Sequence, residues 1–154
     1  MGTVYKALDT KLQVHRALKF IHPHLVTDAG FKHRFIQEAQ AAGYDNIIWL
    51  DAKEMKYVEE MGAMNIAFVY EDEVITAPTG DTILNGVTRD SVGILLKDMG
   101  HNWVEEQPAI ATIIEDAHSG KLKEVFACGT TAVVTPVGVI HYKGADHQIA
   151  DGKE

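Results

Sequence analysis

Two short apolar-polar runs open the chain, at 2–8 and 14–21, and LDTKLQ between them has the composition of a turn. They predict a pair of strands. His22-Pro23-His24 stops the second, Thr27-Asp28 suits a helix start, and Phe31, Phe35 and Ala39 recur at helical spacing. Strand patterns return at 47–51, 57–60, 64–70 and in EVITAP, which predicts antiparallel sheet. After the turn Asn85-Gly86-Val87 the period lengthens. Thr88 reads as the N-cap of a helix that buries Val92, Leu95, Leu96 and Met99 and stops at Gly100. Residues 103–106 read as a strand. Pro108 opens a third helix that buries Ile110, Ile113, Ile114 and Ala117 and ends at Ser119-Gly120. Strands over 123–128 and 132–142 flank the turn Gly129-Thr130-Thr131, and the last dozen residues read as frayed. The fold class that follows is α+β: an antiparallel and mixed sheet packed with about three helices.

Composition narrows the class. At 154 residues with 46% hydrophobic and 23% charged positions, the chain is long enough for one ordinary core. It has no apolar stretch of membrane-spanning length and no secretory h-region. Cys128 is its one cysteine, so no intrachain disulfide forms, and a reducing, cytoplasmic setting is expected. Cys128 itself, beside the 129–131 turn, reads as a buried, inert thiol, and Trp49 and Trp103 read as core. A net charge of −8 argues against general nucleic-acid binding. The charge is uneven: residues 1–40 carry an excess of three positive charges and 41–154 an excess of eleven negative ones. Either two segments meet near residue 41, or one domain has a basic edge.

Two places suit an anion. Backbone N–H groups at the helix start after Asn85-Gly86-Val87-Thr88 have no intrahelical partners, and Gly86 permits close approach. Gly129-Thr130-Thr131 offers a glycine turn with two hydroxyls. Each is equally compatible with a plain cap or turn. In Glu59-Glu60, adjacent strand residues face opposite sides, so one carboxylate is placed inward and needs a donor or a cation. His15, His22, His24 and His33 form no helical i, i+4 pair, so no metal site is assigned.

GYDNIIWLDA (43–52), KYVEEMGAMNIAFV (56–69), ILNGVTRDSV (83–92), LKEVFACGTTAVVTPVG (122–138) and HYKG (141–144) resemble, in order and spacing, the C-terminal domain of the branched-chain aminotransferases, pyridoxal-phosphate enzymes of fold type IV. The resemblance covers 42–154 and implies weak binding of pyridoxal 5'-phosphate. Glu60 matches the acid at the pyridine nitrogen. Val87 and Thr88 match the helix-start residues at the phosphate, Thr130 a hydroxyl on that phosphate, and Thr131 the part of the turn that receives the substrate carboxylate. The family's Schiff-base lysine lies upstream, before a GGNY-type helix start. Residues 1–40 carry no such motif, and no residue of this chain is assigned a catalytic role. The chain also has Asn85 where family members usually have Pro, and Thr131 where Ala is common.

Residues 1–40 resemble instead the N-lobe of a serine/threonine protein kinase. GTVYKALDTKL (2–12) is similar to the end of a Gly-rich loop and its strand, Ala17-Leu18-Lys19-Phe20 to the strand of the phosphate-contacting lysine, and Phe35–Ala39 to the helix of its glutamate partner. Lys19 and Glu38 match that pair, and nothing later is similar to the HRD loop or the DFG metal site. The two resemblances imply a chimera with units 1–41 and 42–154, joined inside the Ala-rich stretch 38–43. Three functions stay open: an impaired or inactive aminotransferase cofactor domain, a recombined or engineered chimera without a ligand, and a nucleotide-binding remnant. Sheet edges and apolar surface left by missing neighbours favour a homo-oligomer.

Overall fold

The computed structural model describes residues 4–9, 14–19, 29–130 and 133–149. Val4–Asp9 (β1) and Val14–Lys19 (β2) form an antiparallel pair, and Ala29–Ala41 (α1) follows. The main sheet has seven strands: Ile48–Leu50 (β3), Val58–Met61 (β4), Met64–Val69 (β5), Glu73–Thr76 (β6), Asn102–Glu105 (β7), Glu124–Cys128 (β8) and Val134–Pro136 (β9). Val87–Asp98 (α2) carries the chain from β6 to β7, the one parallel pair in this sheet. A parallel pair needs a crossover of this kind. Ile110–Ser119 (α3) leads into β8, and Val139–Tyr142 (β10) pairs with Ala145–Gln148 (β11). The architecture is the α+β class expected, with three helices among the described residues.

β5 is the hub. Its first residues pair with β4, its later ones with β6, and its other edge with β8. Ile66 and Phe68 turn to one face, where they join Val58, Met61, Ile110, Ile113, Ile114, Leu122, Val125, Ala127, Ile140 and Ile149 in the core. α3 fits because its isoleucines recur at 3.6-residue spacing, and Gly120 ends it in the left-handed region at φ 75°. α1 reaches the body of the fold through Phe35, whose ring lies 6.1 Å from that of Trp49.

Five expectations need correction. The strand expected over 132–142 is broken into β9 and β10 at Val137-Gly138: Val137 still donates to the Val125 carbonyl of β8 at 2.8 Å, and from Val139 the chain pairs with β11 instead. The tail expected to fray forms β11 through residue 148, and Ile149 is buried in the core. The N-cap of α2 is Gly86, and Thr88 is already helical. The apolar stripe of α2 is not its buried face: Ile94, Leu95 and Met99 are exposed, while Arg89 and Gly93 are buried. The cause is Trp103, half-buried rather than core, whose indole lies so close that a Cβ at position 93 would sit 3.2 Å from it. The Thr27-Asp28 helix start lies outside the described residues.

Candidate functional site

The site begins with an irregularity in β4. Leu50 pairs with Val58 and Ile48 with Met61, so two steps on β3 face three on β4. That extra residue is a β-bulge. It lets Val58 and Met61, three apart, both enter the core, and it places Glu60 on the opposite face. Glu60 is only 6% exposed, and its Oε1 accepts the backbone N–H of Leu84 at 3.1 Å. Its neighbour Glu59 stays half-buried and accepts from Thr82 Oγ1 at 2.9 Å.

Asn65 pairs with Glu60 on one side and with Cys128 on the other. The three therefore form one row across β4, β5 and β8, and the outer two are about 9.5 Å apart at two strand spacings. Asn65 is buried, and its Nδ2 donates to the Leu84 carbonyl at 2.9 Å. Glu60 and Asn65 thus hold the N–H and C=O of one residue, two positions before the N-cap of α2. The fit is close at Gly86, where a Cβ would lie 2.5 Å from Asn65 Oδ1. Gly86 supplies no side-chain cap, so no N-cap oxygen occupies the first N–H groups of α2. Val87 there is exposed and Thr88 half-buried.

Arg89, in the first turn of α2, is 2% exposed. Its Nη2 donates to the Ala77 carbonyl at 3.1 Å and meets Glu105 at 3.1 Å, and its guanidinium lies over the Trp103 ring. Its Nε has no partner among the described residues. One cation therefore ties the start of α2 to the ends of β6 and β7. Burial pushes the Cys128 thiol up, against the opposing charge of Arg89, so the thiol is protonated at neutral pH. This agrees with an inert cysteine.

Glu60, Val87 and Thr88 are thus joined through the 84–86 loop. Gly129 follows Cys128 directly and lies so close to Met64 that a Cβ would be 2.9 Å from its Cγ. Thr130 is exposed at the end of β8, and Thr131 lies outside the described residues. Lys19 ends β2, with its side chain outside what is described, and Glu38 is exposed on α1. Among the described residues, no contact brings Glu38 to the site. Asn65 and Arg89 were missed. The available signals were an asparagine inside the apolar run MNIAFV, and an arginine one turn before Gly93 on the same helix face. Among the described residues no helix is long and apolar enough to cross a membrane.

A family model, amino-transferase class IV, matches residues 5–140. The match runs through residue 41 and takes in residues 5–40, so it lends no support to the kinase-like unit 1–41 or to the chimera expected from the sequence. The chain is 44% identical to the branched-chain-amino-acid transaminase 1 of Bacillus subtilis over 117 residues, 76% of this chain and 33% of that one. It is 40% identical to the branched-chain-amino-acid aminotransferase of Mycolicibacterium smegmatis, over 77% of this chain and 34% of that one. The chain thus spans about a third of the length of the curated relatives it matches. Among solved structures, the branched-chain amino acid aminotransferase from Escherichia coli superposes with a TM-score of 0.65 and 28% identity, over 79% of this chain and 37% of that one. An aminotransferase from Brucella abortus, bound to the cofactor PLP, gives 0.59 and 30%, over 71% and 36%.

Proposed function

The chain belongs to the class IV aminotransferase family, and from that premise we propose that it is the cofactor-holding part of a branched-chain amino acid aminotransferase. The observation that carries this is the tie between Glu60 and the start of α2 through Leu84. A buried carboxylate and an uncapped helix N-terminus stand on one sheet face, held in fixed relation. The residues fit pyridoxal phosphate, which needs an acid at its ring nitrogen and donors at its phosphate. Glu60 would hold the proton at the pyridine nitrogen. The N–H groups of Val87 and Thr88 would bind the phosphate, where the helix dipole favours an anion, and the Thr130 hydroxyl would complete that end. When bound, the cofactor supplies an electron-accepting ring for moving an amino group between amino and 2-oxo acids.

Asn65 and Arg89 serve as positioning residues in this scheme. Asn65 fixes the 84–86 loop, and Arg89 fixes the first turn of α2 against the sheet. We assign the 154-residue polypeptide cofactor binding without efficient transamination, since residues 1–40 offer no lysine in the family's motif. Pyridoxal phosphate should quench tryptophan fluorescence saturably in the wild type and at least about tenfold more weakly in Glu60→Ala. Absence of saturable binding, or equal binding by Glu60→Ala, would overturn the cofactor assignment. Borohydride reduction followed by peptide mapping addresses turnover separately: one lysine modified stoichiometrically, together with transamination of leucine, would overturn the assignment of poor catalysis.

A further inference from the structure

On the core side of the sheet, far along the chain from Glu60, two histidines meet. His118 is in the last turn of α3 and His147 is on β11. His118 Nε2 lies 3.0 Å from His147 Nδ1, and the rings are inclined by 41°. The second nitrogen of His147, Nε2, lies 3.2 Å from the Tyr142 carbonyl. A carbonyl only accepts, so Nε2 carries the hydrogen and Nδ1 presents its lone pair toward His118. Histidine metal ligands are held in this way, with the far N–H donated to a backbone carbonyl that fixes both tautomer and ring orientation.

We propose that His118 Nε2 and His147 Nδ1 form a two-histidine site for a divalent first-row transition cation, with Zn2+ as the reference ion. Two nitrogens 3.0 Å apart, each at the usual ~2.0–2.1 Å from zinc, subtend about 94° at the metal. That angle suits two adjacent ligands, so with a turn of the two rings the ion takes the place of the hydrogen that His118 Nε2 now donates to His147 Nδ1. His118 then carries its hydrogen on Nδ1. Among the described residues no cluster of three or more histidine, cysteine or acidic side chains is arranged to hold a metal. Water therefore fills the remaining positions, and the ligand class is a labile divalent ion rather than a permanently enclosed one. Nearby Asp116 is taken up by the Tyr70 hydroxyl at 3.1 Å and Lys121 at 3.9 Å. His141 points its Nδ1 to Asp146, at 2.6 Å. Binding would staple the β10–β11 hairpin to α3.

The test is a calorimetric titration with ZnCl2, paired with long-range 1H–15N spectra of the imidazoles. His22→Ala/His24→Ala is the background, so that the two closely spaced histidines of His22-Pro23-His24 do not contribute. One equivalent should bind, with the His118 Nε2 and His147 Nδ1 resonances shifting and the melting temperature rising. His118→Ala and His147→Ala should each weaken binding more than about tenfold, while His141→Ala keeps it. His118 is exposed, and His118→Gln serves as a second variant that preserves bulk. No stoichiometric binding in the background chain, or binding unchanged in either His118→Ala or His147→Ala, would overturn the proposal and leave an ordinary hydrogen-bonded pair. Neither outcome depends on the cofactor assignment.

Discussion

The two faces of the seven-stranded sheet are built on different terms. One is closed by α3 and the β10–β11 hairpin over isoleucine, valine, leucine and phenylalanine, with Phe68 fully buried at its centre. The other meets α2 through Glu60, Asn65, Arg89 and Gly93, and leaves Val87, Ile94, Leu95 and Met99 in solvent. The first face uses burial, which is strong and tolerant of exact placement. The second uses directional bonds to single backbone groups, which contribute less energy but set position within tenths of an ångström. Stability and the proposed ligand site therefore fall on opposite sides of the same strands, and substitutions should separate them.

The sharpest separation is expected from Phe68→Ala, which should cost about 3–5 kcal/mol in urea unfolding while the folded fraction binds pyridoxal phosphate normally. A parallel loss of affinity would mean that the faces are coupled. Arg89→Met comes next. It strips the buried Ala77 carbonyl of its donor, whereas Glu105, 42% exposed, regains water, so about 1–3 kcal/mol should be lost. Here cofactor affinity should fall as well, because α2 loses its anchor. Gly86→Ala should cost about 1–3 kcal/mol, since its Cβ would meet the bonded amide of Asn65, and it should weaken cofactor binding in the same titration. Glu60→Gln should stay within about 1 kcal/mol of wild type, because the amide oxygen still accepts from Leu84, and should show its effect only in cofactor affinity.

A pH experiment examines the strand entry that both faces share. Burial pulls the Asp51 carboxyl upward, but backbone N–H groups of Tyr57, Glu54, Lys56 and Lys53 outweigh it and hold the group below its ordinary value of 3.8. A depressed folded pKa contributes stability above the unfolded value, and that contribution is lost as pH falls through the folded one. Acid unfolding should therefore lose one step of its pH dependence in Asp51→Asn, while stability near neutrality changes in the same direction and by less than in the core variants. An unchanged acid profile would show that the 51–57 turn holds without its carboxylate.

The core face was legible in the sequence because burial leaves a period. The isoleucines of α3 and the alternation in β5 report directly which side is inward. The other face was legible only through Glu60 and the turn at Asn85-Gly86, where local chemistry is unusual. α2 departs from its pattern for a physical reason: its apolar stripe is not the packing face, because Gly93 against Trp103 and the buried Arg89 decide its orientation. The β4 bulge left no signature, since pairing with β3 is a property of two strands and not of one. Likewise β11 is short and polar, and its pairing with β10, the contact of His147 with His118 and the burial of Ile149 hold it in place. The exposure of the α2 stripe also leaves the expected homo-oligomer as a matter for sedimentation rather than pattern.

The row that joins Glu60, Asn65 and Cys128 also fixes an order of events in time. Glu60 meets Asn65 across a two-residue turn, whereas Asn65 meets Cys128 only after roughly sixty residues of intervening chain have been gathered in. The first closure is fast and local; the second waits for β6, α2, β7 and α3 to find their places. One half of the proposed cofactor cradle lies across the short closure and the other half across the long one, so a ligand that needs both halves should bind only the finished protein and act as a clasp on it.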